Sequence, residues 1–376
     1  MKLEKIKGAT RGFSRNFGAA TAMATLALGL VIHSPSYAQA GKKPVAKLVI
    51  GNATVATPPH AAYNTSVPQA IFFEEEGLDV KMFGLAGATV AVQALEAGKV
   101  DLALPANSGP LALLDKLPDT DIVAFYTFIN GFQSMPVVLK DSPIKTLSDL
   151  QGKTLGVQTL GNSQVQTTKA LVQISGSDPQ TMKFVAVGQG VEAAHALQTK
   201  RIDALILFDG LYGQIEAAGV PLRALSSDAT SRDAVGFSGS IITRGSFLKE
   251  NRDTLVKYGR AIAKGTVFAK ENPEAAVRIH WKVYPETKQR GVSEEVAMRN
   301  SLAALNARLA NIYEVDGLIG NSSARQINGY INLMKAGGQL PRTDGVGKFW
   351  DPSLLKEIND FDKEAVRKMA REWKDN

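Results

Sequence analysis

The sequence predicts an α/β protein of two similar lobes, each built on a parallel-type sheet, followed by a helical C-terminal region. Strand and helix patterns alternate from residue 47 to 104, and the same alternation begins again at residue 154 and continues to 208. Such an order predicts parallel strands joined by right-handed crossovers. A third observation is that amphipathic helix patterns dominate from residue 248 onward.

The strand candidates of the first lobe are short apolar runs bounded by turn residues. They cover residues 47–55, 78–83, 100–104 and 122–128. Helix patterns separate these runs. Gly77 and Gly98 end the first two helices, and Asn107 opens the third, so each βα unit has its own stop or start residue.

The second lobe begins with the stretch from residue 144 to 163. Its apolar run at residues 154–160 reads as a buried strand, and Gly161 to Ser163 then open a helix. Ser163 and Gln166 have the spacing of a capping box. Two further strand candidates follow at residues 184–187 and 204–208. The second lobe therefore repeats the plan of the first.

Two extended segments, residues 135–140 and 236–243, lie on either side of the second lobe. We therefore expect the chain to cross between the lobes twice, which is the layout of a hinge. The segment 93–101 also matches 195–203 in residue type. This similarity favours an internal repeat, although any helix–turn–strand unit would look alike.

The helix patterns of the C-terminal region indicate helices that cover the lobes and do not form part of a site. They cover residues 248–270, 273–283, 293–313, 322–335 and 353–373. Leu302, Leu305, Leu309 and Ile312 illustrate the amphipathic spacing.

Composition excludes several classes of protein. The chain has 376 residues, of which 44% are hydrophobic and 21% charged, as in ordinary globular proteins. The formal charge is +7, but residues 1–38 carry five basic side chains and one acidic, which leaves +3 for the remainder. The basic residues form no cluster in the sequence, so we expect no nucleic-acid partner. The chain contains no cysteine, which excludes disulfides and a lipid-anchored cysteine.

Residues 1–38 have the layout of a secretory signal peptide. A basic start is followed by an apolar run at residues 19–32 and by small residues around Ala38. A membrane anchor is the alternative, but the run is shorter than the roughly 20 residues that span a bilayer. We therefore expect a cleaved signal and an exported protein.

Residues suited to catalysis are few. There is no thiol nucleophile, and the four histidines are far apart in the sequence, with none in a metal-binding spacing. The glycine loops at residues 84–87 and 188–190 lack the Lys-Ser/Thr ending of a phosphate-binding loop. The sequence therefore predicts no metal, no cofactor and no enzymatic activity.

Polar and aromatic residues recur in the loops that follow successive strands. The carboxyl ends of parallel strands share one edge, and two facing lobes would turn these edges into a cleft. The candidate ligand-binding residues are His60, Tyr63, Gly87, Thr89, Asn107, Ser108, Asn162, Ser163, Gln189, Asp209 and Tyr212.

Four of these loops precede predicted helix starts, whose dipoles favour a small anion such as a sulfonate, carboxylate or nitrate group. Asp209 opposes an anion, and it is expected to accept a hydrogen bond either from the ligand or from a hinge N–H group. Phe208 and Tyr212 are candidates for an apolar wall, and a place in the core is an equal alternative for Phe208.

Three motifs, taken together and in order, resemble the periplasmic solute-binding proteins of ABC importers. They are Phe-Glu-Glu-Glu-Gly-Leu-Asp-Val at 73–80, Gln-Ala-Leu-Glu-Ala-Gly-Lys-Val-Asp at 93–101 and Leu-Ser-Asp-Leu-Gln-Gly-Lys-Thr-Leu-Gly-Val at 147–157. The resemblance covers about residues 45–285. It is to the NMT1/THI5-like group, which includes nitrate, sulfonate and taurine binders and their thiamine-pyrimidine relatives.

The resemblance implies a type II, clamshell periplasmic-binding-protein fold that closes on a small-molecule ligand. It further implies a monomer that delivers a small organic, anionic ligand to the permease subunits of an importer driven by a cytoplasmic ATPase. Fungal members of the group are enzymes that use a Cys-rich motif, which this chain lacks. The alternatives are an exported two-lobed enzyme and a ligand-sensing subunit of a signalling receptor.

The domain boundaries that follow from these interpretations are a signal peptide at 1–38, the first part of lobe 1 at 43–134, lobe 2 at 135–240, a helical return to lobe 1 at 241–345, and a C-terminal helix at 346–376 that packs on the lobes.

Overall fold

The computed structural model describes residues 45–160, 164–342 and 345–375. The predicted signal peptide at 1–38 and the candidates Asn162 and Ser163 lie outside these described residues. The strands are β1 (Ala46–Asn52), β2 (Leu78–Gly84), β3 (Leu102–Leu104), β4 (Ile122–Ile129), β5 (Val137–Leu139), β6 (Thr154–Val157), β7 (Lys183–Ala186), β8 (Ala204–Ile206), β9 (Leu222–Ala224) and β10 (Gly239–Arg244).

The α-helices separate the strands in the first part of the chain and follow one another without strands after β10. They are α1 (Phe73–Glu75), α2 (Ala88–Glu96), α3 (Ser108–Lys116), α4 (Gln164–Ile174), α5 (Val191–Gln198), α6 (Asp209–Ala217), α7 (Gly245–Glu250), α8 (Arg252–Glu271), α9 (Pro273–Val283), α10 (Glu294–Leu309), α11 (Ala324–Ala336), α12 (Leu355–Ile358) and α13 (Lys363–Arg371). Within the described part of the chain, no helix is both long enough and apolar enough to cross a bilayer.

The strands form two five-stranded sheets with the same plan. The first has the order β2-β1-β3-β10-β4 and the second β7-β6-β8-β5-β9. In each sheet the first three strands are parallel, and the fourth position holds an antiparallel strand, β10 or β5. The predicted two-lobed α/β fold is confirmed, but both sheets are mixed rather than purely parallel.

The direction of the antiparallel strands follows from the two chain crossings. β5 is the first strand after the chain leaves β4, and β10 is the first strand after it leaves the second sheet. Each of them enters its new sheet from the side that faces the other lobe. The parallel strands end on that same side, so a strand that starts there must run against them.

The C-terminal helices contribute to the core and also connect the lobes. α8 is buried along most of its length in the core of the first lobe, and α13 packs against it. α10 contacts both the second-lobe helix α6 and the 3-10 turn Pro59–Asn64 of the first lobe, and α11 packs against α4. Two of these helices therefore span the junction between the lobes.

The contact between α6 and α10 depends on a glycine. A Cβ atom at Gly213 would lie 2.3 Å from the carbonyl oxygen of Ala303 and 2.9 Å from its carbonyl carbon. Both atoms belong to the α10 backbone, which cannot rotate away as a side chain can. Glycine at this position therefore sets how closely the two helices approach.

We expect Gly213→Ala to destabilise the protein by about 2 kcal/mol, because overpacking of this kind forces a backbone shift. Chemical denaturation measures the change. Gly347→Ala is the matched control, since an added Cβ there meets nothing within 4 Å. Equal stability of the two variants would contradict the role of Gly213.

Candidate ligand-binding site

A cavity of about 620 Å³ lies between the two lobes, and we call it the main cavity. The residues that line it from the first lobe are Asn52, Ala53, Thr54, Pro58, His60, Ala61, Asn64, Thr65, Gly87, Ala88, Leu104, Ala106, Phe128 and Ile129. The remaining lining residues are Gln133 and Ser134 at the first chain crossing, Gln158, Gln164 and Phe208 of the second lobe, and Arg308 of α10.

The loop after β1 supplies much of the first-lobe wall, and a buried histidine fixes it. His280 of α9 is fully buried, with Nε2 3.0 Å from the Thr57 carbonyl oxygen and Nδ1 3.0 Å from the Ser66 hydroxyl. A carbonyl can only accept, so Nε2 carries the proton and Nδ1 accepts from Ser66. Burial lowers the pKa of His280 to about 4, which keeps the ring neutral at pH 7.

Aromatic rings form two parts of the wall. Phe128, near the end of β4, lines the main cavity from the first lobe, and Phe208 lines it from the second lobe. The His60 ring meets Phe208 edge to face, with the ring centroids 5.5 Å apart. Burial, and next the positive charge of Arg308, holds the pKa of His60 well below its usual value, so His60 is a neutral wall residue at pH 7.

A buried ion pair joins α10 to the start of α6. The Asp209 carboxylate accepts from Arg308 Nε at 2.8 Å and from Nη2 at 2.8 Å, and Asn311 Nδ2 donates to it at 2.7 Å. Both Arg308 and Asp209 are 6% exposed. Nη2 of Arg308 also donates to Gln133 Oε1 at 2.8 Å. The pair therefore holds a C-terminal helix, the second lobe and the chain crossing in one network.

This pair decides the charge of the main cavity. Among the described lining residues, Arg308 is the only one with a formal charge, and the Asp209 carboxylate is in direct contact with it. Burial by itself lowers the pKa of Arg308, but the charge and hydrogen bonds of Asp209 raise it overall. The guanidinium stays ionised while its charge is balanced, so the cavity has little net charge.

One buried acceptor at the main cavity has no partner. Asn64 is 4% exposed, and its Oδ1 atom takes no hydrogen bond from any described residue. Leaving a buried carbonyl oxygen unpaired costs about 1–3 kcal/mol. This atom has almost no accessible surface, so a ligand in the main cavity meets it only if the Asn64 amide turns towards the cavity.

Of the residues predicted from the sequence, His60 and Gly87 line the main cavity. Gly87 precedes α2 with φ of 98°, a left-handed conformation that suits glycine. Ser108 lines a smaller adjoining cavity. Asp209 and Tyr212 line a third cavity on the far side of the ion pair. These five residues therefore surround the junction between the lobes.

The other described candidates are not part of the lining of the main cavity, although Tyr63 lies beside the lining residue Arg308. The Tyr63 hydroxyl donates to the Phe128 carbonyl at 2.9 Å, and the Asn107 amide donates to the Phe237 carbonyl at 2.8 Å. Thr89 and Gln189 are exposed and do not belong to the lining of the main cavity. A ligand role for these residues, as for Asn162 and Ser163, stays a prediction.

The sequence interpretation did not include Arg308 or Asn64. A signal for Arg308 was present, because it follows Leu305 and precedes Leu309 and Ile312 on the apolar face of α10. A cation on such a face is rarely buried without a partner. Asn64 lies in the loop of His60 and Tyr63, but its burial depends on contacts distant in sequence.

Comparison with known proteins agrees with this geometry. The family model described as NMT1/THI5 like matches residues 69–276, which is more than half of the chain. The chain belongs to the NMT1/THI5-like family. The resemblance noted from the three sequence motifs is thereby confirmed.

One relative of this NMT1/THI5-like protein is the formylaminopyrimidine-binding protein of Halalkalibacterium halodurans. The two are 23% identical over 214 residues, which cover 55% of this chain and 62% of that protein. The match therefore spans less than two thirds of the relative's length.

Solved structures show the same fold. The alkanesulfonate-binding protein SsuA of Xanthomonas axonopodis pv. citri, bound to MOPS, matches with a TM-score of 0.56 and 16% identity, over 82% of this chain and 99% of that chain. The desulfurization enzyme DSZB matches with a TM-score of 0.52 and 13% identity, over 83% of this chain and 98% of that chain. The fold of the NMT1/THI5-like protein is thus shared by a binding protein and an enzyme.

We expect Arg308→Met to destabilise the protein by about 3–5 kcal/mol, since it leaves the Asp209 carboxylate buried without its counter-charge. The double variant Arg308→Met with Asp209→Asn should lose less than the sum of the two single variants. Urea unfolding measures all three. Arg252→Met is the control, because the Arg252–Glu357 pair is 44% and 55% exposed and should contribute less than about 1 kcal/mol. If the stability lost by the double variant equals the sum of the two single losses, Arg308 and Asp209 do not stabilise each other.

Acid should weaken the fold through His280. Its pKa is about 4 when folded against 6.5 when unfolded, so the unfolded chain binds the proton first as the pH falls. Stability should therefore decline between pH 6.5 and 4, by about 1.4 kcal/mol per pH unit. In His280→Gln the unfolding free energy, measured at pH 7 and 4.5, should depend less on pH. His195→Gln, at an exposed site, should keep the wild-type dependence.

Proposed function

We propose that this protein is the exported, periplasmic solute-binding component of an ABC import system. In this proposal it captures a small organic molecule in the main cavity and delivers it to the permease subunits of the importer. Membership of the NMT1/THI5-like family supports the transport role. The observation that carries the binding role is the cavity of about 620 Å³ between the lobes, which lies within the usual size range of small-molecule sites.

The ligand in this proposal is an uncharged planar ring that carries both donors and acceptors of hydrogen bonds. Phe128 and Phe208 provide apolar surface from the two lobes for the faces or edges of a ring. In this proposal the Asn64 amide turns towards the ligand, and its unpartnered oxygen accepts a hydrogen bond from an amino group. An aminopyrimidine has this combination, and the relative from Halalkalibacterium halodurans is named for a ligand of that class.

An anionic sulfonate or carboxylate, as expected from the sequence, is the second candidate. The Arg308 guanidinium at the main cavity favours it. Two features weigh against it. The Arg308 charge is already paired with Asp209 at 2.8 Å, and a sulfonate has no donor for the Asn64 oxygen. An anion would therefore leave one buried acceptor unpaired and be repelled by the Asp209 carboxylate.

A binding role is proposed in preference to an enzymatic one. The related fold of the enzyme DSZB makes an exported enzyme the natural rival. In this chain there is no cysteine to act as a nucleophile, and His60 is neutral, buried and packed against Phe208. Recovery of a ligand unchanged after long incubation with the protein would support binding alone, and its conversion would contradict the proposal.

Calorimetry with 4-aminopyrimidine and ethanesulfonate separates the two ligand classes. We expect 4-aminopyrimidine to bind the wild-type protein more tightly than ethanesulfonate does. Asn64→Leu should weaken 4-aminopyrimidine about tenfold, because the amino group loses its buried acceptor. The control ligand is unsubstituted pyrimidine, which lacks the amino group and should bind the variant and the wild type alike.

Tighter binding of ethanesulfonate would instead support the anionic class. A small molecule retained by the purified protein in native mass spectrometry would give the mass of the natural ligand and test both candidates. Failure of every probe, together with the absence of any retained molecule or ligand-induced closure, would contradict the binding role.

A further inference from the structure

Another large cavity lies between the lobes beside α6 and α10, and we call it the lateral cavity. Its volume is about 570 Å³, close to that of the main cavity, and the two cavities share no lining residue. The loop after β1 separates them, because Pro59 lines the lateral cavity while Pro58 and His60 line the main one. On α10, Ser301 lines the lateral cavity about two turns, or about 10 Å, before Arg308.

The described residues that line the lateral cavity carry no formal charge and no aromatic ring. A charged ligand would therefore lose its hydration there without a counter-charge, and a planar ring would find no ring to stack on. The polar groups of the lining are side-chain amides and hydroxyls, those of Gln198, Gln214, Thr287, Gln289, Asn300 and Ser301. This chemistry favours an uncharged aliphatic molecule that forms hydrogen bonds.

The Ser301 hydroxyl is a buried hydrogen-bonding group that the fold leaves unused. Ser301 is 5% exposed, and its side chain makes no hydrogen bond to any described residue. Its Oγ atom is not one of the unpartnered buried atoms that lack accessible surface, so a molecule in the lateral cavity can reach it. A donor or acceptor on a ligand would therefore find a partner here without any movement of the protein.

Gln214 of α6 adds a free carboxamide to the same lining. It is half-buried, and its side chain has no hydrogen-bond partner in the described part of the chain. Two other amides of the lining already meet, since Asn300 Nδ2 donates to Gln289 Oε1 at 2.8 Å. A carboxamide holds a donor and an acceptor side by side. A primary amide on a ligand presents the same two groups in the opposite order and can pair with Gln214 through two hydrogen bonds.

We propose that the lateral cavity is a second ligand-binding site, which takes a small, uncharged aliphatic molecule with a primary amide group. The amide pairs with Gln214, and Ser301 binds a further polar atom of the ligand. Ala194, Ile215 and Val220, each at most 7% exposed, provide the apolar surface for its aliphatic part. The inference goes beyond the proposed function, because it does not depend on what binds in the main cavity.

NMR titration of the purified protein with N-acetyl-L-alaninamide tests the site, since it reports both the affinity and the residues that are perturbed. We expect saturable binding with the largest shifts in α5, α6 and the first half of α10. Ser301→Ala should weaken binding about fivefold, the value of one neutral hydrogen bond, and Gln214→Leu should weaken it by at least as much. Gln173→Leu is the matched control, because Gln173 is exposed on α4 and does not line the cavity.

Glycyl-L-alanine has a similar backbone with a charged group at each end, and we expect it to bind about tenfold more weakly or not at all. Equal binding of the two compounds would overturn the ligand class. An absence of saturable binding of N-acetyl-L-alaninamide would overturn the site, and so would binding that neither Ser301→Ala nor Gln214→Leu weakens.

The variant Asn64→Leu distinguishes the two cavities. It should leave the affinity for N-acetyl-L-alaninamide unchanged, and a weaker affinity would place the probe in the main cavity and overturn the inference. Ser301→Ala should in turn leave the binding of 4-aminopyrimidine unchanged, so failure of the lateral cavity leaves the proposed function standing. Thermal unfolding should show that Ser301→Ala is folded, since alanine suits a helix and the hydroxyl makes no contact that the fold needs.

Discussion

The ion pair between Arg308 and Asp209 is the interaction on which the junction of the lobes depends. It is buried, it is reinforced by Asn311, and it reaches the chain crossing at Gln133 through a further hydrogen bond. Two charges taken out of water are stable only when each balances the other and the remaining hydrogen-bonding atoms are satisfied. These needs fix the relative positions of α10, α6 and the crossing. They also leave the cleft beside them nearly uncharged, which is why we favour an uncharged ligand.

The C-terminal helices are part of this junction. α10 approaches α6 at Gly213 closely enough that no side chain fits between their backbones, and this approach brings Arg308 to Asp209. α11 lines the smaller cavity that adjoins the main cavity beside Ser108, while α8 and α13 lie in the first-lobe core. The buried His280 of α9 secures the loop of His60 and Asn64. These five helices, which follow the second lobe in the sequence, therefore hold the walls of the site or the elements that carry them.

Local sequence patterns were sufficient to predict most of the fold. Apolar runs bounded by turn residues predicted seven of the ten described strands, because burial in a sheet demands such runs. β5 and β10 lie in the two segments that were expected only to be extended crossings between the lobes. β9 was missed, since it is three residues long and depends on its partner β5. The direction of β5 and β10 could not be read locally, because it follows from the chain crossings.

The site was only partly predictable from the sequence. His60 and Gly87 were found from their loops. Asn64 and Arg308 take their positions from contacts made more than a hundred residues away or across the lobes.

Different parts of the chain form the cleft and shape its walls, because α10 and α11 lie across the junction of the lobes. The parallel strands and the crossings determine that there is a cleft between lobes, and they occupy the first 244 residues. Helices that come later in the sequence also line the cavities. Arg308 of α10 lines the main cavity, and α11 lines the smaller cavity beside it, so these helices influence the shape and polarity of the site. Substitutions in those helices can therefore change what the cleft accepts without altering the sheets or the crossings. Such an arrangement lets the residues of the cleft wall vary while the two sheets and the crossings between them stay the same.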